Sequence, residues 1–272
     1  LCVLVVALPA VVTCLRAKPL QPRGQAVPKS GSLASTSPGQ ALRSTDCVFA
    51  GDTCNPIEAL QQREWRNKVH QGSIHGFPGE DRVIYKANIT DITDANYAER
   101  VYIDLGSRNY ESSIGDWFMS RYPESWKFKV MAFDPESVYD DTYREHPEVE
   151  LFHHAVWTEN ATLPWFRSHV DASKRPGNST RSAIDFAEFL RKRVKKEDFV
   201  VVKMDIEGAE YDVIPHLLRQ NVSSLIDEMF VEAHTDINSM FKGPKAAGHR
   251  RPDALKLIQS LRDAGVYAHE WA

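Results

Sequence analysis

The chain has 272 residues, 42% of them hydrophobic, and a formal net charge of −4. That length supports one good-sized α/β domain with appendages. The mild acidity and the lack of a long basic run argue against nucleic acid as a partner; the cluster Arg191-Lys192-Arg193 with Lys195-Lys196 reads as a solvated helix face.

Residues 1–15, LCVLVVALPAVVTCL, carry no charge. Fifteen residues fall short of the ~20 that span a bilayer. The chain begins at Leu1, so a longer amino terminus is expected to complete either a signal peptide's apolar region or a signal anchor, with possible membrane attachment. Residues 16–45, rich in Pro, Ser, Gly and Ala, have no hydrophobic period and read as a disordered stem. Residues 46–98 form an extension expected to pack on the main domain, with a helix over Pro56 to Val69 and a strand over Arg82 to Ile89. Cys47 and Cys54, the only pair outside the apolar start, can close a small disulfide loop in an oxidising compartment. Asn88, Asn160, Asn178 and Asn221 sit in acceptor sequons. Together these features predict a glycoprotein of the secretory pathway, either held in the Golgi lumen by an amino-terminal anchor or secreted.

From Arg100 strands and helices alternate. Val101 to Leu105 is a first strand, followed by Gly106 and a helix through Ile114, Trp117 and Phe118. Phe128 to Phe133 is a second strand ending at Asp134-Pro135, and Glu148 to Val156 a third. After a polar segment with Pro164, Pro176 and Gly177, Ala183 to Val194 reads as a helix. Phe199 to Met204 is a fourth strand whose three consecutive valines mark it as buried on both faces. It ends in Asp205-Ile206-Glu207-Gly208 before a helix with Val213, Ile214, Leu217 and Leu218 at helical spacing. Leu225 to Val231 is a fifth strand ending in Glu232-Ala233-His234; Asp253 to Ala264 is a helix, and Val266 to His269 opens a last strand. This alternation predicts an α/β, doubly wound, mainly parallel sheet with right-handed connections. In such sheets ligands bind outside the carboxyl ends of the strands.

The acids at those ends carry the chemistry. A helix cap explains a lone Asp or Glu after a strand, but not the whole set Asp205-x-Glu207-Gly208-x-Glu210. The hexapeptide DIEGAE after Val-Val-Lys-Met closely resembles the FkbM family of S-adenosylmethionine-dependent methyltransferases, and the resemblance extends over roughly residues 99–271. It implies a Rossmann-like sheet of the class I methyltransferase type over residues 99–272, with S-adenosyl-L-methionine as cofactor. By that resemblance Asp104 and Gly106 form the first cofactor motif, and a glycine turn there lets the backbone approach the cofactor's methionine moiety. Tyr110 stands where a second glycine is usual. Phe133-Asp134-Pro135 resembles the family's Phe-acid-Pro motif, whose acid accepts the ribose hydroxyls, and Ala155 and Val156 would lie against adenine.

Asp205, Glu207, Glu232 and His234 form the expected catalytic set. Asp205 and Glu232 resemble the metal positions of catechol-type O-methyltransferases, where Mg²⁺ holds two acceptor hydroxyls and lowers the pKa of one; His234 is alternatively a general base. His269 reads as structural. The expected function is O-methyl transfer to a hydroxyl of a glycan or other small hydroxylated acceptor. The alternative, prompted by Tyr110, is a catalytically silent protein of the same fold that acts as a binding module. A nicotinamide dehydrogenase is disfavoured, because no G-x-G-x-x-G follows a strand and no Tyr-x-x-x-Lys occurs.

Overall fold

The structure, a computed structural model, describes residues 47–50, 53–60, 83–90, 92–166, 169–170, 179–235 and 248–271. The expected apolar segment 1–15, the stem 16–45 and the sequon at Asn178 lie outside them. The first described elements, β1 (Cys47–Ala50) and β2 (Thr53–Pro56), pair as an antiparallel hairpin closed by the Cys47–Cys54 disulfide. Pro56 therefore ends a strand, residues 57–60 carry no helix, and the rest of the helix expected to Val69 lies outside the described residues. The strand expected over Arg82 to Ile89 is absent from the described residues; Lys86–Ile89 forms a short helix, α1.

The main sheet begins with β3 (Arg100–Leu105) and β4 (Lys129–Phe133), separated by a π-helical segment, Glu111–Met119. After α2 (Asp140–Tyr143) comes β5 (Val149–Phe152). The chain then leaves the main sheet. β6 (Ala155–Trp157), β7 (Ala161–Phe166), β8 (His169–Val170) and β9 (Ser179–Asp185) make a separate four-stranded sheet in the order β6-β9-β7-β8. The single strand expected over Glu148 to Val156 is thus two strands in two sheets, broken at His153-His154. The helix expected from Ala183 starts later: α3 (Phe186–Arg193) is capped by Asp185, whose carboxylate accepts the amides of Ala187 and Glu188. That cap satisfies two orphan amides of the first turn and fixes the boundary.

The remaining elements are β10 (Phe199–Met204), α4 (Glu210–Arg219), β11 (Glu228–Val231), α5 (Arg251–Asp263) and β12 (Tyr267–Glu270). The main sheet has the order β12-β11-β10-β3-β4-β5, with every pair parallel. Chain order therefore reverses between β3 and β10, where an open α/β sheet forms its ligand crevice.

Alternation along the strands explains why both faces are covered. Ile103, Leu105, Val200, Val202 and Met204 pack against α3, α4 and α5, burying Leu190, Ile214 and Ile258. Tyr102, Val201 and Phe230 face the other way, against Ile114, Trp117 and Phe118 of the π-helical segment. Successive side chains on a strand point to opposite faces, so the valine run serves both layers. The extension packs on one edge: Val48 and Ile57 bury against Tyr267, whose hydroxyl donates to the Pro56 carbonyl. Among the described residues, no helix is long and apolar enough to cross a membrane.

Candidate active site

A cavity opens at the reversal of strand order, lined in part by Gly106, Arg108, Asp134, Val156, Asp205 and Glu207. Its floor is the pair of strand ends β3 and β10. The Asp205 amide donates to the Leu105 carbonyl at 3.0 Å, which carries the ladder one residue past the end of β10. Gly106 has φ +80°, and a Cβ there would collide with the Asp205 carbonyl oxygen. The glycine is therefore demanded first by the crossing of the two strand ends, and the bare backbone it leaves faces the cavity.

Asp134 sits one residue beyond β4, 6% exposed. Its Oδ2 accepts the Arg108 amide at 3.0 Å and its Oδ1 the Glu136 amide at 2.8 Å. Each oxygen keeps a second acceptor direction. Burial raises its pKa to about 6, against the pull of those two amides. The far wall comes from the smaller sheet: Ala155 and Val156 of β6 and Trp165 of β7 line the cavity. Glu136 ties that wall to β4's end, accepting the Trp165 indole N–H and two contacts from Arg181 Nη2 at 2.8 and 3.0 Å.

Beyond Asp205 lies a second group of charges. The β10 exit carries two successive left-handed residues, Glu207 (φ 55°) and Gly208 (φ 97°). A non-glycine residue in that region is an uncommon, strained choice. The backbone does not stay extended to Gly208, yet this kink brings Glu207 Oε2 within 3.5 Å of His234 Nε2. β11 stops at Val231, and the Glu232 amide still reaches the Met204 carbonyl at 2.9 Å. Glu232 Oε1 lies 3.6 Å and Asp205 Oδ1 3.8 Å from the same imidazole nitrogen. The other ring nitrogen, Nδ1, lies 3.1 Å from Oε1 of the fully buried Glu210, which also accepts the Ile206 amide at 2.8 Å.

Protonation in this group follows from who faces whom. Burial works to raise the Asp205 pKa, but Lys203 and then His234 overcome it and hold the carboxyl below its usual range. Burial, then the Asp205 charge, push Glu232 up to about 8. Burial also raises Glu207. For His234 burial opposes the charge, but Glu210, Glu232 and Asp205 lift its pKa well above the ordinary value.

The structure brings Gly106, Asp134, Ala155, Val156, Asp205 and Glu207 to one cavity, with Glu232 and His234 grouped behind its acidic end. It does not bring Asp104 there. Asp104 shares a strand face with Tyr102, is fully buried, accepts the Ser113 hydroxyl and lies 3.5 Å from Lys203 Nζ. Tyr110 also avoids the cavity: its ring stacks on His146 at 3.3 Å and covers Gly115, where a Cβ would come within 2.9 Å. Several residues found here were not singled out from sequence: Arg108, Glu136 and Trp165 on the walls and Lys203 beneath the floor; Glu210, read from sequence only as the last acid of its set, lies behind His234. Lys203 had a readable signal, a cation in an apolar strand; its Nζ lies 3.3 Å from Asp205 and 3.5 Å from Asp104.

A parallel sheet with a cavity at its order reversal, acids at three strand ends and a histidine among them defines an α/β protein with a strand-end site. The chain belongs to the family described as Domain of unknown function (DUF7870), whose model matches residues 135–272. No curated protein matches the chain, and no solved structure does.

Proposed function

We propose that this protein is an S-adenosylmethionine-dependent O-methyltransferase acting on a hydroxyl of a glycan or other small hydroxylated acceptor, on a class I methyltransferase type of sheet. The observation that carries the reading is the continuity of one cavity from Asp134, past Gly106, to Asp205 and Glu207. The donor set suits the cofactor. Asp134 keeps one free acceptor direction on each oxygen for a pair of ribose hydroxyls, and Ala155 and Val156 offer an apolar wall for adenine. The side chain of Tyr110 leaves the cavity clear, which favours a working site over a silent one.

The cofactor, when bound, supplies a sulfonium methyl group that transfers in line to an oxygen. The chain's own residues bind and orient both partners. Asp205 and Glu207 face the cavity and take the acceptor hydroxyls as hydrogen-bond acceptors, and the proton that the hydroxyl loses passes to the carboxylate that holds it. The setting is the secretory pathway: Cys47 and Cys54 are joined, and Asn88, Asn160 and Asn221 are exposed for glycosylation. Titration calorimetry with S-adenosylhomocysteine tests the reading. Saturable binding at one site per chain supports it, and absence of binding at millimolar ligand overturns it.

A further inference from the structure

His234 is 4% exposed, and its Nε2 makes no hydrogen bond to any described residue. That nitrogen instead faces Glu207, Glu232 and Asp205 at 3.5, 3.6 and 3.8 Å. An imidazolium would donate its single Nε2–H to one carboxylate at about 2.7–2.9 Å. Near-equal, longer distances to three carboxylates suit a different guest. Ligand atoms held about 2.1 Å from one ion lie roughly 3 to 4.2 Å from each other. One ligand atom each from Asp205, Glu207 and His234 fall within 4.8 Å of one another. The other side of the ring repeats a pattern known from metal sites, in which the second nitrogen donates to a carboxylate that fixes the tautomer. Glu210 is that carboxylate, itself pinned by the Ile206 amide.

We propose that Asp205, Glu207 and His234 Nε2 bind one divalent first-row transition-metal ion, with Glu232 beside it and Glu210 as a positioning residue. Imidazole with two carboxylates suits Mn²⁺, Fe²⁺, Co²⁺ or Zn²⁺, whereas Mg²⁺ prefers oxygen ligands and its own waters. Binding displaces the Nε2 proton. The ion lies against the cavity at the Asp205–Glu207 end, where it reaches an acceptor hydroxyl. The site itself rests on the geometry of these side chains; its role in methyl transfer rests on the preceding reading.

The test uses the full chain stripped with chelator. Co²⁺ is titrated in and followed by visible absorption, and Mn²⁺ and Mg²⁺ by calorimetry. One ion per chain is expected, with Mg²⁺ at least about ten-fold weaker than Mn²⁺. Glu210→Gln should weaken Co²⁺ binding by about 10–100-fold, as loss of an outer-shell partner does. Glu207→Gln, at the partly exposed end, should weaken it at least as much while the stripped variant unfolds at the wild-type temperature. No uptake at millimolar Co²⁺ and Mn²⁺ overturns the proposal, as does affinity unchanged in both variants. Mg²⁺ binding as tightly as Mn²⁺ would remove His234 from the ligand set. S-adenosylhomocysteine titrated into the same stripped protein reports on the cofactor separately: metal uptake without cofactor binding leaves this site standing and removes the methyl-transfer reading, and the reverse result does the opposite.

Discussion

Among the described residues, two histidines each face more than one carboxylate, and they sit differently. His269, on β12, lies between Glu58 at 2.7 Å from Nδ1 and Glu228 at 2.8 Å from Nε2. Every oxygen of Glu228 is taken: Oε1 also accepts the Lys86 amide at 2.7 Å, and Oε2 accepts the Tyr122 hydroxyl. His234, at the carboxyl ends of β10 and β11, has one nitrogen bonded and one facing three carboxylates, none of them at hydrogen-bond distance. Saturated partners make the first a clamp that ties Glu58 and Lys86 to the edge of the sheet. Unsaturated partners make the second the candidate site. Burial does not separate the two, since both rings are buried; the unused acceptor and donor directions do.

Breaking each group should therefore fail in a different way. Asp205→Asn or Glu232→Gln is expected to lower methyl transfer from labelled cofactor into fractionated cell glycans by on the order of 10⁴-fold, about 5 kcal/mol. S-adenosylhomocysteine affinity should stay near wild type in calorimetry. His269→Gln removes one member of a buried charged set, which costs about 3–5 kcal/mol of stability. Denaturant unfolding should show that loss, with activity per folded molecule unchanged. Turnover retained in the first pair, or a loss of activity without loss of stability in His269→Gln, would erase the distinction.

The same contrast shows what the sequence could and could not disclose. The valine run, the acid after each of β4 and β10, and the Glu232–His234 pair are local patterns, and local patterns fix strand ends. The parallel sheet follows from them because alternating helices leave few ways to connect the strands. The smaller sheet was not legible. Pro164 lies inside β7, opposite Thr180 of β9, and a proline normally argues against a strand. Ala183 and Ile184 continue the apolar spacing of α3, so β9 read as its first turn; Asp185 followed by Glu188 was the available sign of the true start. Asp104 needed the third dimension. Its register partner is Lys203, and the pair points away from the cavity, which no one-dimensional spacing reveals.

The clamp also has a pH signature of its own. Burial lowers the His269 pKa, but Glu58 and Glu228 overcome it and raise it to about 9. A histidine whose folded pKa exceeds its unfolded value of about 6.5 contributes stability that is fully present below 6.5 and is lost as pH rises through about 9. The size is of order 3 kcal/mol at 1.36 kcal/mol per unit. Wild-type unfolding free energy should fall across that window, and His269→Gln should flatten the fall. An equal fall in both proteins would place the titration elsewhere.

Asp134 stands between the two extremes, and its prediction is the smallest. Each of its oxygens accepts one backbone amide and has one direction left. If two ribose hydroxyls fill those directions, Asp134→Ala should weaken S-adenosylhomocysteine binding by about 1.5–3 kcal/mol, the range for hydrogen bonds to a charged group. The fold should survive, because the residue lies beyond β4 and the two amides can turn to water. Burial has raised this carboxyl to about 6, so acid protonates it within an accessible range. The protonated form must donate one hydrogen and loses an acceptor, so affinity should fall up to about ten-fold per pH unit below 6. Stability should move the other way: a carboxyl raised above its unfolded value of about 3.8 destabilises the ligand-free fold when ionised, and that penalty lifts as pH falls from about 6 towards 4. Calorimetry and unfolding run on the same samples at pH 5 and 7 read both signs. Affinity independent of pH in wild type, or unchanged in Asp134→Ala, would make this carboxylate a turn-stabilising acceptor of the same kind as Glu228 and would take the cofactor away from the end of β4.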